Sequence, residues 1–134
     1  MLNKKATIER CVAQVRDWHR SATASDDLMR QDAIAMNLQR ACESAIDIAN
    51  HLIRTRKLGL PQDSRDAFDL LKQGGIIDEE RNSALKSMVG FRTILVHEYR
   101  ALDPEIVEAV IEHRLDDLLA FTNLAVGVSR CQSV

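Results

Sequence analysis

Two prolines and five glycines are all that punctuate a chain of 134 residues, and so few interruptions favour long helices over many short strands. The apolar pattern agrees. Ile8, Cys11, Val12, Val15, Trp18 and Ala22 recur at helical spacing before the polar stretch 21–25 breaks the stripe. A second, longer helix is predicted from near Asp26 to Lys57, with its clearest stripe on Leu38, Cys42, Ala45, Ala49 and Leu52. Gly59 and Pro61 are expected to end it, a glycine past the last turn and a proline beyond. Asp63 or Ser64 is placed to cap a short third helix carrying Ala67, Phe68, Leu70 and Leu71, which Gly74-Gly75 stops. Asp78 opens a fourth helix, with Glu79 and Glu80 at the positive end of its dipole. Asp103-Pro104-Glu105 reads as the start of the last helix, with Val107, Val110, Ile111, Leu118, Phe121 and Ala125 on one side. No period-two alternation is sustained. The reading is all-α, an up-and-down bundle of four to five helices in a single domain over residues 1–134.

Composition bounds the function. Hydrophobic residues make up 46% of the chain and aromatics only 4%, so the core must be aliphatic. The formal net charge of -2 leaves no general basic coat for nucleic acid, so any such contact must use a local patch. Arg54, Arg56 and Lys57 form the compact basic cluster, which reads as a solvated helix end or as a guide for RNA. Cys11, Cys42 and Cys131 are odd in number and widely spaced, which suits a reducing compartment. Glu9 and Arg10 interrupt any apolar run after the basic start. No stretch is long enough to span a bilayer. A cytoplasmic chain with no membrane partner is expected.

The fourth helix carries the informative irregularity. Its stripe reads Leu85, Met88, Val89, Leu95, Val96 and Tyr99, but the position between is Arg92. At about 100° per residue, Arg92 lies within about 20° of both Leu85 and Tyr99. An arginine there is costly unless it is paired or lies at an interface. The ordinary reading is a structural arginine bonded to a carboxylate on another helix. Glu43 and Asp47, four apart on the second helix, read either as a solvated face or as carboxylates that orient Arg92 or Arg114. His97 falls about 140° round from Arg92, on a strip with Lys86, Gly90 and Thr93. Arg92 and His97 converge on one ligand only if the helix loosens near His97 or a second subunit supplies one of them.

The segment Met88-Val89-Gly90-Phe91-Arg92-Thr93-Ile94-Leu95-Val96-His97-Glu98-Tyr99 resembles the signature of HEPN domains, and more closely the R-x4-H-x-Y motif of HepT toxins. The likeness extends to residues 38–51 of the second helix, to Gly59-Leu60-Pro61, and to the stretch from Phe68 to Ile77. It covers most of residues 2–125. One position departs: after the arginine the superfamily usually has asparagine, another amide or an acid, and this chain has Thr93. A hydroxyl cannot donate and accept through separate atoms as an amide does.

The resemblance implies a toxin endoribonuclease that cuts RNA without a metal or other cofactor. Its partner would be a minimal nucleotidyltransferase antitoxin that transfers AMP onto Tyr99. The residue chemistry suits that reading. The four histidines do not cluster with the cysteines, and His113 with Asp116 supplies too few ligands for a metal. Without metal, the RNA 2′-hydroxyl attacks the adjacent phosphate. Histidine then moves protons near neutral pH, and arginine clamps the crowded phosphate. His97 is therefore the expected general acid/base and Arg92 the clamp, in a homodimer that brings the two pairs together, with Thr93, Glu43 and Asp47 in support. A non-catalytic HEPN subunit, binding a nucleotide or acting as scaffold for a nucleotidyltransferase, is the alternative that Thr93 keeps open.

Overall fold

The computed structural model describes residues 2–20, 27–98 and 104–131. These form six helices and no strand: α1 Leu2–Arg20, α2 Asp27–Arg56, α3 Ser64–Gln73, α4 Glu79–Glu98, α5 Pro104–His113 and α6 Leu115–Cys131. The fold is the all-α bundle expected, with the last helix divided in two at Arg114. The Arg114 amide still reaches back to the Val110 carbonyl, but the Arg114 carbonyl accepts from Asp117, three residues on. The helix restarts there. Among the described residues no helix is long and apolar enough to cross a membrane.

α2 is the axis of the bundle. Its 30 residues span about 45 Å, and α1, α3, α4 and α6 all pack on it. Small residues on the predicted stripe let those neighbours approach: Ala45 and Ala49 are buried beside Leu38, Cys42 and Leu52. Lys4 pairs with Asp47 at 3.0 Å and Asn37 donates to Gln14 at 3.4 Å, so α1 runs antiparallel to α2. Arg16 meets Asp116 at 2.9 Å while Arg56 reaches the Val128 carbonyl at 3.1 Å, which sets α6 parallel to α2. Phe68 of α3 and Phe121 of α6 meet edge to face in the core, with ring centroids 5.6 Å apart.

The caps are local chemistry. Asp63 is the N-cap of α3, its side chain accepting from the Asp66 amide at 2.8 Å, and Asp66 returns the favour to the Gln62 amide at 2.9 Å. Asp78 caps α4 through the Arg81 amide at 2.8 Å. Two helices end in the same closure. In α3 the left-handed position is Gly75 (φ 78), and the Ile76 amide bonds the Leu71 carbonyl at 2.9 Å. In α2 the equivalent position is Lys57 (φ 54), with the Leu58 amide on the Ile53 carbonyl at 3.0 Å. The turn of α2 therefore falls on Lys57 rather than on the expected glycine; Gly59 follows with its own positive φ of 123°. Leu58 then closes over Gly74, where a Cβ would stand only 2.8 Å from its Cδ2.

Candidate active site on α4

α4 carries its apolar stripe inward on Leu85, Met88, Val89, Phe91 and Leu95, all buried. Arg92 interrupts it and is solved by a partner. Its Nη2 donates to Glu43 Oε1 on α2 at 3.0 Å. The side chains of Arg92 and Glu43 are 30% and 42% exposed, so the pair sits at the rim of the core rather than inside it. That bond holds the Glu43 carboxyl below the usual carboxylate range, partly opposed by burial and helped by Gln39, which donates to the same oxygen at 3.2 Å. The Arg92 Nε is buried with no hydrogen-bond partner. One edge of the guanidinium is thus fixed by the protein, while other donors of the fork remain for a ligand. Beneath it, the Cys42 thiol is buried against the Met88 carbonyl, and burial pushes its pKa up to about 12. It is no nucleophile.

Asp47, expected beside Glu43 as a second support, does not join this pair. One turn further along α2, it is exposed and bonded to Lys4 of α1. Only Glu43 lies level with Arg92. Nor does either carboxylate orient Arg114, which is exposed in the break after α5 and faces Asp117 at 3.5 Å. Asp116 is taken by Arg16, and His113 lies beside Glu112.

His97 is exposed near the C-terminal end of α4. The helix is unbroken from Glu79 to Glu98, so the loosening needed to turn His97 toward Arg92 is not there. The two stay roughly 7 Å apart along the axis and about 140° apart around it. Thr93 is exposed on the His97 side, and its hydroxyl donates to the Val89 carbonyl of its own helix at 3.2 Å. What it offers outward is an acceptor. Tyr99 lies outside the described residues.

α3 borders the same strip, and sequence reasoning passed over its contribution. Asp69 accepts from Asn82 Nδ2 at 2.9 Å and from Lys86 Nζ at 3.1 and 3.3 Å, and these bonds, that of Asn82 foremost, hold the Asp69 carboxyl below its usual range. Asn82 is buried, a polar residue at i, i+3, i+7 spacing with Leu85 and Val89 that could have been noticed. Arg65 of α3 lies over Gly90, its Nη1 3.9 Å from where a Cβ would stand. The basic cluster of Arg54, Arg56 and Lys57 is exposed, with Arg56 spent on a carbonyl of α6.

Comparison with known proteins gives this geometry a setting. The family model described as ribonuclease HepT-like matches residues 7–125. The chain is 42% identical over 125 residues to an mRNA nuclease HepT of Shewanella oneidensis, covering 92% of this chain and 94% of the relative. It is similar to the solved structure of the tri-AMPylated Shewanella oneidensis HEPN toxin in complex with MNT antitoxin, with a TM-score of 0.87 and 42% identity. That match covers 94% of this chain and 96% of the other. A toxin–antitoxin crystal structure with AMP-PNP matches with the same TM-score at 41% identity, covering 94% and 96%.

Proposed function

Because the chain belongs to the ribonuclease HepT-like family, we propose that it is the toxin ribonuclease of a toxin–antitoxin pair, silenced by a nucleotidyltransferase that places AMP on Tyr99. The observation that carries the reading is Arg92, a cation set into an apolar helix face and held by Glu43 at 3.0 Å with part of its fork uncommitted. A fixed, permanently charged fork suits the equatorial oxygens of a phosphorane. In the reaction the RNA 2′-oxygen forms a bond to phosphorus and the bond from phosphorus to the 5′-oxygen breaks. The 2′-hydroxyl proton goes to a base, and an acid protonates the departing 5′-oxygen. The products are a 2′,3′-cyclic phosphate and a 5′-hydroxyl. His97, exposed and not engaged in any described bond, is the group for this proton traffic.

The regularity of α4 supports a homodimer, because Arg92 and His97 of one copy face different directions and a second copy would complete the site. AMP on Tyr99 would add bulk and negative charge two residues from His97, repelling the substrate phosphate by the logic of phosphorylation. The AMPylated toxin in the related complex motivates this assignment.

Purified chain should cleave RNA, and His97→Ala should lower kcat by about 10²–10⁴; undiminished cleavage by the variant would sink the assignment. Mass spectrometry of chain co-expressed with the antitoxin should find an added AMP that Tyr99→Phe abolishes. Full inhibition with Tyr99 unmodified would favour a purely steric antitoxin instead.

A further inference from the structure

Arg65 is an exposed cation at the first turn of α3 with no described partner. Among the described residues no carboxylate lies within ion-pair distance of it, although its neighbour Lys86 is neutralised by Asp69 at 3.1 Å. Its guanidinium stands over Gly90 of α4. Gly90 shares the outward strip of α4 with His97: seven residues separate them, roughly 10 Å along the axis and about 20° around it. Gly90 itself is unexplained by packing. It is helical, a Cβ there would meet nothing closer than 3.9 Å, and that atom is Arg65 Nη1. A glycine in a helix interior is unfavourable by about 1 kcal/mol relative to alanine, and here it leaves the surface beneath the guanidinium low and open.

We infer that Arg65, standing over Gly90, binds a phosphate of the RNA strand flanking the one cleaved beside His97. The inference rests on the nuclease reading for its substrate class and adds a contact that places the strand. The planar fork of an arginine holds two phosphate oxygens, and Lys86, tied to Asp69, is not free to do the same. Arg65 is thus a binding residue for the flanking nucleotide, not a participant in proton transfer.

The test measures cleavage of a single-stranded RNA over a series of KCl concentrations, alongside anisotropy binding of a 2′-O-methyl RNA that cannot be cut. Arg65→Ala should raise KM about three- to tenfold at low salt, with the loss falling on KM more than on kcat. It should also flatten the plot of log affinity against log salt by about 0.7 for each contact removed. Arg65→Lys keeps the charge and should restore most of that slope. An unchanged affinity and slope in Arg65→Ala would overturn the proposal. So would a shift to monomer in sedimentation accompanying the loss, since Arg65 would then serve the contact between copies. Cleavage by the wild-type chain tests the nuclease reading separately, and binding of the uncleavable RNA decides Arg65 whichever way that falls.

Discussion

Removing Glu43 should loosen Arg92 and cost a predictable amount of stability. At 3.0 Å two unit charges attract by about 1.4 kcal/mol in bulk water and about 5.5 kcal/mol at an effective dielectric of 20. With side chains 30% and 42% exposed, the pair belongs near the watery end, and side-chain ordering takes back part of the gain. A coupling of about 1 kcal/mol is left. In a chain of 134 residues that corresponds to a fall in Tm of about 3–4 °C for Glu43→Ala. Arg92→Ala should cost less than its partner's loss, because it also deletes the buried, unpartnered Nε. The acid limb has a definite sign. Arg92 holds the Glu43 carboxyl below the ordinary value of 4.5, so its stabilisation is present above the unfolded pKa and is lost as pH falls through the lowered folded one. Urea denaturation followed by circular dichroism, run as a double-mutant cycle on Glu43 and Arg92 at pH 7 and again below pH 4, measures both. A coupling within about 0.3 kcal/mol of zero at pH 7, or one that grows in acid, would refute the reasoning. Cleavage assays complete the experiment: Glu43→Gln, which keeps an acceptor near Nη2, should retain more activity than Glu43→Ala.

Two further expectations concern the scaffold. Lys57→Gly should stabilise the chain by about 0.5–1 kcal/mol, since a side chain at φ 54 carries a steric cost that glycine lacks; a lower urea midpoint would show that the lysine side chain itself holds the turn. Phe121→Ala should destabilise by about 3–5 kcal/mol, because the ring is fully buried and meets the Phe68 ring edge to face. Calorimetry with a loss below about 1 kcal/mol would mean that the core there collapses to fill the space.

Much of this was legible in the sequence for physical reasons, and so were the limits. The caps at Asp63 and Asp78 could be read because a short carboxylate and the amide it accepts from are only three residues apart. The break at Arg114 could not, because Val107 and Val110 before it and Leu118 and Phe121 after it stay in one helical phase. A stripe is blind to an interruption that keeps its phase. Lys57 is not legible there, since its left-handed turn depends on where the i→i−4 ladder of α2 runs out, and Gly59 two residues on is the residue type that ordinarily takes such a conformation. For the partner of Arg92 the sequence offers Glu43 and Asp47, which share a strip and differ by one turn. Choosing between them needs the level at which α2 and α4 cross, which is tertiary information. Arg65 lay hidden for the same reason, because its meaning depends on α3 lying beside Gly90.

The unbroken course of α4 through His97 has a bearing on dosage. On the proposed roles, Arg92 as phosphate clamp and His97 as proton carrier point apart on one rigid rod, and a lone copy would hold half of a working site. By mass action the fraction of chains in complete sites then falls with dilution, and below the dissociation constant of the pair the cutting rate follows the square of chain concentration. A few stray copies escaping their antitoxin would be nearly silent, while a modest surplus would switch on steeply. The helix geometry alone would give such a toxin a threshold, without any further regulator.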